Sequence, residues 1–404
     1  MIPRKRLDIS WSDLAYGMRC CLWSGDRSTI EARLDKRWMG RAGLPCLSVR
    51  SGFDALLSVL DFPTGSEILV SALTIKGMIH IIKDHGLVPV PIDLEMSRLS
   101  VDCEILKAAV TERTKAILVA HLFGSRMPMQ AIVDFAQVHQ LLVIEDSAQT
   151  YTGSQDWGHR QSDVSLFSFG PIKTATALGG GVLIFREPSL RDAVRAHQSQ
   201  WPLQRRWSFW LRLWKYSGLM LLSARANYRL FVALCRLFNV NHDRLIASSV
   251  RGFAGREFFA KIRQRPSTPL LSLMARRIGQ FDPGKIDRRR QIAEQAIAQL
   301  PRLSRPGDRA AHHTHWVFPI LHSQPDRLIV YLWSRGFDAT RGGSSLCVVE
   351  PPAGRSESRP TRAEATFEQL FYLPIYEGLS SDDVARLASA VNNFEAALTQ
   401  TIKG

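Results

Sequence analysis

From about residue 44 to residue 190 the chain keeps one rhythm. A short apolar run ends in polar or glycine residues, a longer amphipathic stretch follows, and another apolar run begins. This alternation leaves few folds open, because strands separated by helices pair in parallel and carry helices on both faces of one sheet. Ser66–Ser71, Leu87–Asp93, Lys115–Ala120 and Leu141–Ile144 read as strands, and Met129–His139 has helical spacing. Pro89 and Pro91 mark the second of these as an edge or irregular strand, since proline donates nothing to a ladder. The expected fold class is α/β with a mostly parallel central sheet. Ligands of such sheets gather at the carboxyl ends of the strands. Asp146, in Val143-Ile144-Glu145-Asp146-Ser147-Ala148-Gln149, stands at one such end.

About one βα unit later comes Val164-Ser165-Leu166-Phe167-Ser168-Phe169-Gly170-Pro171-Ile172-Lys173, ahead of the run Gly179-Gly180-Gly181. Residues 165–169 alternate as a strand does, so Ser168 can face a ligand while Phe167 and Phe169 pack. The Gly-Pro turn then brings Lys173 back over the same place. Alone, a lysine after a strand reads as a surface lysine. Paired with a buried acid upstream, it is what pyridoxal phosphate (PLP) chemistry needs: an amine to hold the aldehyde as a Schiff base, and a carboxylate to keep the pyridine nitrogen protonated. Ser51-Gly52-Phe53-Asp54-Ala55-Leu56 opens an apolar helix, and backbone N–H groups at such a start suit a phosphate. An ordinary N-cap has the same appearance.

With 404 residues the chain can bury a large core, and two domains are expected. The first, residues 1–283, would be the large one. The second, residues 284–404, reads as a smaller α+β domain with helices over 287–300, 326–335 and 381–399 and strands about 316–321. Six cysteines are scattered without metal-ligand spacing, which fits free thiols in a reducing compartment. The basic start, Met1 to Asp8, has no apolar signal core behind it, and no run of 18 apolar residues exists to span a bilayer. The expected location is cytoplasmic. His312, His313 and His315 have no carboxylate or cysteine partner at convincing spacing, so no metal is expected and His315 reads as substrate-side or structural.

Residues 201–290 carry 19 Lys and Arg against Asp243, Glu257, Asp282 and Asp287, a surplus equal to the net charge of the whole chain, +15. Within 201–265 the βα rhythm stops. Trp207, Trp210, Leu211, Trp214 and Leu221 share a helical face, beside Arg205, Arg206, Arg212 and Lys215. This basic, Trp-rich helical insertion can be read as a hairpin packed on the large domain or at a dimer interface. It can equally be read as residues 201–240 seated on an anionic membrane surface, peripheral on its inner face. No nucleic-acid fold accompanies the charge, and nucleic acid is not expected as a partner.

These motifs together resemble the DegT/StrS-type sugar aminotransferases, fold-type I PLP-dependent enzymes, well over residues 45–195 and loosely over 265–404. Residues 111–117 through His121-Leu122-Phe123-Gly124 are similar to the family's central strand and turn, and 372–379 to its ending. The resemblance implies that Asp146 pairs with the pyridine nitrogen and that Gln149 lies near the ring's phenolic oxygen. Ser168 would bind phosphate, Lys173 would be the Schiff-base lysine, and Gly52 and Phe53 would belong to the phosphate-binding helix start. It further implies a homodimer with Arg265–Thr268 near the partner's phosphate, an amino donor such as glutamate, and a keto acceptor on a sugar or lipid-linked polar head. Phe53 stands where the family usually has threonine, and Ile75 where an aromatic often stacks on the ring. Two other readings stay open: a PLP enzyme of condensation or elimination type, and a catalytically weak membrane-associated scaffold.

Overall fold

Seven strands form the central sheet of the computed structural model, which describes residues 1–153, 155–250, 253, 257–342 and 345–403. They are β1 (Ala42–Cys46), β2 (Glu67–Ser71), β3 (Val88–Ile92), β4 (Thr114–Ala120), β5 (Leu142–Asp146), β6 (Val164–Ser168) and β7 (Gly181–Phe185), in spatial order β1-β7-β6-β5-β4-β2-β3. The pairs from β6 across to β3 are parallel, and β7 runs antiparallel to both β6 and β1. The cause is local. Parallel neighbours need a crossover, usually helical, and residues 169–180 form instead a looped turn that returns the chain beside β6. β3 is the edge strand, with Pro89 and Pro91 opposite Ile68 and Val70 of β2, as the two prolines led us to expect.

The helices that matter for the site are α1 (Trp11–Leu22), α2 (Val49–Leu60), α3 (Arg206–Leu222), α4 (Arg225–Leu237), α5 (His242–Val250), α6 (Thr268–Gly279) and α7 (Gly284–Gln299). On one face of the sheet α1, α3 and α6 share a core with Phe167, Phe169, Val182 and Ile184. On the other, α2 covers Val70, Ile144, Leu166 and Leu183. Beyond α7, strands β8 (Phe318–Leu321) and β9 (Leu370–Leu373) pair antiparallel. They pack with α7, α8 (Pro325–Ser334) and α9 (Ser381–Lys403) around Phe318, Leu328, Phe371 and Val391, an α+β region.

The insertion is helical, and it is apolar on two sides. Phe209, Leu213 and Tyr216 of α3 are buried in the core beside α1, where Gly17 admits them: a Cβ there would lie 2.9 Å from Leu213 Cδ2. Trp207 (64% exposed), Leu211, Trp214 and Leu221 face outward, with Trp210 half-buried against Trp207. Arg212, grouped from sequence with the flanking cations, turns inward, its Nη1 donating to Leu178 O at 3.4 Å. Arg225 starts a new helix and pairs with Asp383 of α9. On α4 the exposed large apolar side chains are Leu230, Leu234 and Leu237, followed by Phe238, with Arg229 and Arg236 exposed among them. No helix among the described residues is long and apolar enough to cross a membrane.

Asp338, fully buried, joins three distant segments. It accepts Arg4 Nε at 2.7 Å and Arg4 Nη2 at 2.9 Å, pairs with His242 Nε2 at 3.3 Å, and also accepts the Tyr228 hydroxyl. Ile2 donates to Gly336 O (2.8 Å) and accepts from Asp338 N (3.0 Å), so the first residues lie along the C-terminal region.

Candidate active site

The site forms where β5 and β6 end and the 169–180 turn folds back. Asp146 closes β5, 5% exposed, with Oδ1 accepting Ala148 N at 2.9 Å. Burial pushes its carboxyl pKa up, against the opposing charges of Lys173 and His121. Among the described residues no cation stands within salt-bridge distance of it. Beneath it lies a second buried pair, His121 Nε2 to Glu145 Oε1 at 2.8 Å. Glu145 Oε2 also accepts His159 N (2.7 Å) and Ser165 Oγ (3.0 Å). Burial alone would raise Glu145, yet the His121 bond and these donors hold it well below the carboxylate range. The pair anchors the end of β4 to β5 and so fixes the strand that presents Asp146.

The turn carrying Lys173 is built by its own side chains. Thr176 Oγ1 donates to Gly170 O (2.7 Å) and accepts from Leu178 N (2.9 Å), while Ala175 N donates to Asp8 Oδ2 (2.6 Å). These bonds hold Ala175 (φ 53°) and Leu178 (φ 61°) in the left-handed region that such residues seldom adopt. Gly181 then lets β7 reach the start of α2, since a Cβ there would stand 2.6 Å from Val49 N. Lys173 Nζ sits 4.2 Å from the centre of the Trp316 ring, and Trp316 Nε1 donates to Ile172 O at 3.0 Å. Burial draws the Lys173 amine down to about 8; Arg50 adds to the effect and Asp146 opposes it.

The other expected residues fall as follows. Gln149 Oε1 accepts Phe123 N at 2.7 Å. Ser168 is half-buried at the end of β6, its Oγ accepting Gly170 N at 3.4 Å. The start of α2 requires a correction. Helix α2 begins at Val49 behind the N-cap Ser48, whose Oγ accepts Ser51 N at 3.1 Å, so the Ser51-Gly52 pair lies inside the first turn. The Gly52 N–H is spent on Ser48 O (3.1 Å), and Gly52 is small because Leu183 Cδ1 would stand 2.2 Å from a Cβ. The Phe53 side chain is wholly buried in the core under α2. Arg265 donates from N to Pro202 O and from Nε to Trp201 O within its own chain.

Three contributors have no local signal in the sequence, Lys5, Trp316 and Arg289, while His121 and Glu145 stand in its motifs without a sign of their pairing. Trp316 adjoins the histidine cluster considered for a metal; no metal-ligand group occurs among the described residues.

PLP fits this donor set. A buried carboxylate without an ion pair suits a protonated ring nitrogen, and a lysine with a lowered pKa offers a free amine to an aldehyde. A sequence profile described as the DegT/DnrJ/EryC1/StrS aminotransferase family matches residues 39–214. The matched stretch takes in both Asp146 and Lys173. The chain is similar to the erythromycin biosynthesis sensory transduction protein EryC1 of Saccharopolyspora erythraea, 36% identical over 157 residues. That alignment takes in 37% of this chain and 43% of EryC1, under half of the relative's length. Similarity to the GDP-perosamine synthase of Caulobacter vibrioides is lower, 24%, but covers 97% of each chain. The fold is that of the aminotransferase TlmJ from Streptoalloteichus hindustanus, with a TM-score of 0.72 at 21% identity over 98% of this chain and all of that one.

Proposed function

We propose that this chain is a DegT-type, PLP-dependent aminotransferase that moves an amino group from glutamate to a keto group on a sugar or a lipid-linked polar head. The observation that carries the reading is the placement of Asp146 and Lys173 at adjoining strand ends, one buried without an ion pair and the other with a lowered pKa. When bound, PLP supplies an electrophilic aldehyde and an electron-accepting ring. The residues do the rest. Asp146 holds the proton on the ring nitrogen, and the Gln149 amide and Ser168 hydroxyl orient the ring's oxygen and its phosphate. Lys173 Nζ, close to neutrality, attaches the cofactor and then accepts and returns the substrate's α-proton. Trp316, held over the 170–173 turn, keeps water from that amine. Full-length similarity to a GDP-perosamine synthase supports a sugar acceptor.

A lipid-linked acceptor is the second form of this reading, favoured by the outward apolar faces of α3 and α4. In both forms the PLP-binding part is residues 1–283, with 284–404 closing the site, and the working unit is a homodimer.

The visible spectrum of the purified protein tests the reaction. A cofactor band that bleaches with glutamate supports transamination. A band indifferent to amino donors points to condensation or elimination chemistry, and no band points to a scaffold. Asp146→Asn should retain cofactor yet lose turnover on the order of 100-fold, the scale of a displaced proton-holding group. Near-normal turnover in that variant would remove Asp146 from the mechanism.

A further inference from the structure

Arg289, on α7, is 6% exposed. Its Nε donates to Thr314 O at 2.6 Å, but its Nη2 is buried with no hydrogen-bond partner among the described residues. A buried guanidinium N–H left unpaired costs free energy, so such groups are normally satisfied. Lys5 lies beside it. The Lys5 Nζ sits 4.1 Å from the centre of the Trp316 ring and donates to Trp316 O at 3.0 Å. Lys5 and Lys173 therefore contact the same indole at nearly equal distances.

The pocket holds more positive charge than it balances. Burial, then the charges of Arg289 and Lys173, drive the Lys5 amine well below its ordinary value. Asp8 and Glu377 are the acids felt there, and Asp8 is already paired with Arg277 and Lys285. Neither Lys5 nor Arg289 has a carboxylate within salt-bridge distance among the described residues. His315 (φ 48°), next to Trp316, stacks on His313 with ring centres 4.1 Å apart, and burial with Arg305 and Arg289 nearby keeps it uncharged. A guanidinium with an unspent N–H and an amine whose charge burial disfavours thus stand together near Trp316, and an anion there would satisfy the first and favour protonation of the second.

We propose that Lys5 and Arg289 form a carboxylate subsite for the amino donor, adjoining Lys173 at the Trp316 ring. The inference rests on the aminotransferase reading and deepens it. In an α-amino acid the carboxylate is one carbon from the transferred nitrogen. An amine that shares the Trp316 ring with Lys173 Nζ is therefore placed for it, while a diphosphate several bonds beyond an acceptor's keto carbon would reach further out. Arg289 supplies a directional N–H, and Lys5 a point charge once the bound anion favours its ammonium form.

The test measures binding and turnover separately, using Lys5→Met and Arg289→Lys with melting temperatures matched to wild type. Glutarate and inorganic pyrophosphate are titrated calorimetrically into each PLP-loaded protein. Glutarate should bind wild type and weaken at least about tenfold in Lys5→Met, the scale of one lost charge-assisted hydrogen bond. Glutamate should half-saturate cofactor bleaching at correspondingly higher concentration, whereas a primary amine without carboxylates should react alike with wild type and variants. Glutarate affinity unchanged in both variants overturns the subsite. So does weakened pyrophosphate binding with glutarate unaffected, which gives the pocket to an acceptor's phosphate. If glutarate binding depends on Lys5 while wild type transfers no amino group from glutamate, the subsite stands and the transfer reading fails.

Discussion

At the scale of single residues, the Lys173 amine carries the most direct prediction. Its pKa is lowered to about 8, so below that pH it is mostly ammonium and not nucleophilic, and above it mostly free amine. Capture of added PLP by the cofactor-free protein should therefore accelerate about tenfold per pH unit up to about 8 and level off above. Borohydride reduction followed by peptide mapping should place the pyridoxyl group on Lys173; an adduct on another lysine would defeat the assignment. Asp146 and Lys173 were legible in sequence because each is fixed by a local pattern, a strand end in one case and a strand followed by a Gly-Pro turn in the other. Lys5 and Arg289 were not, since nothing in Arg4-Lys5-Arg6 or Arg288-Arg289-Arg290 says which cations turn inward or what each meets there. The helix start at Val49 was misjudged for a related reason. Ser48 and Ser51 are both good N-caps, and only the fit of Gly52 against Leu183 decides between them.

At the scale of elements, the βα rhythm reported the parallel strands well, because their side chains are buried on both faces and read as apolar runs. β7 was not announced by any such run joined to a helix; its reversal follows from the turn that precedes it. The insertion's helices were legible as well, but periodicity alone could not say whether the tryptophan face or the Phe209–Leu213–Tyr216 face is buried. A helix apolar on both sides has a second surface to cover. With Trp207, Leu211 and Trp214 exposed beside Arg205, Arg206 and Lys215, liposomes rich in anionic lipid should carry the protein upward in flotation. Each cation near that surface contributes on the order of 1 kcal/mol before screening. Binding should weaken in high salt, and Trp207→Ala with Trp214→Ala should reduce it further. Arg212, turned toward Leu178, should not matter for lipid. A wild-type protein that stays unbound at low salt leaves this face to a second subunit.

At the scale of the whole molecule, the working unit should sediment as a homodimer carrying PLP, and a folded, loaded and active monomer would contradict that. The sequence said nothing of how the ends of the chain meet, because pairing across such a separation has no local trace. Arg4 and Asp338 are 334 residues apart, and the strap they form sets Lys5 against Trp316. There is a consequence in time. Synthesis at about 5–20 residues per second leaves residues 2–5 waiting roughly twenty seconds to a minute for their partners. Closing so long a loop is slow compared with pairing neighbouring strands. The sheet with Asp146 and Lys173 is thus complete on the ribosome while Lys5 is still adrift, and among the parts of the pocket the earliest-made residue is the last to arrive.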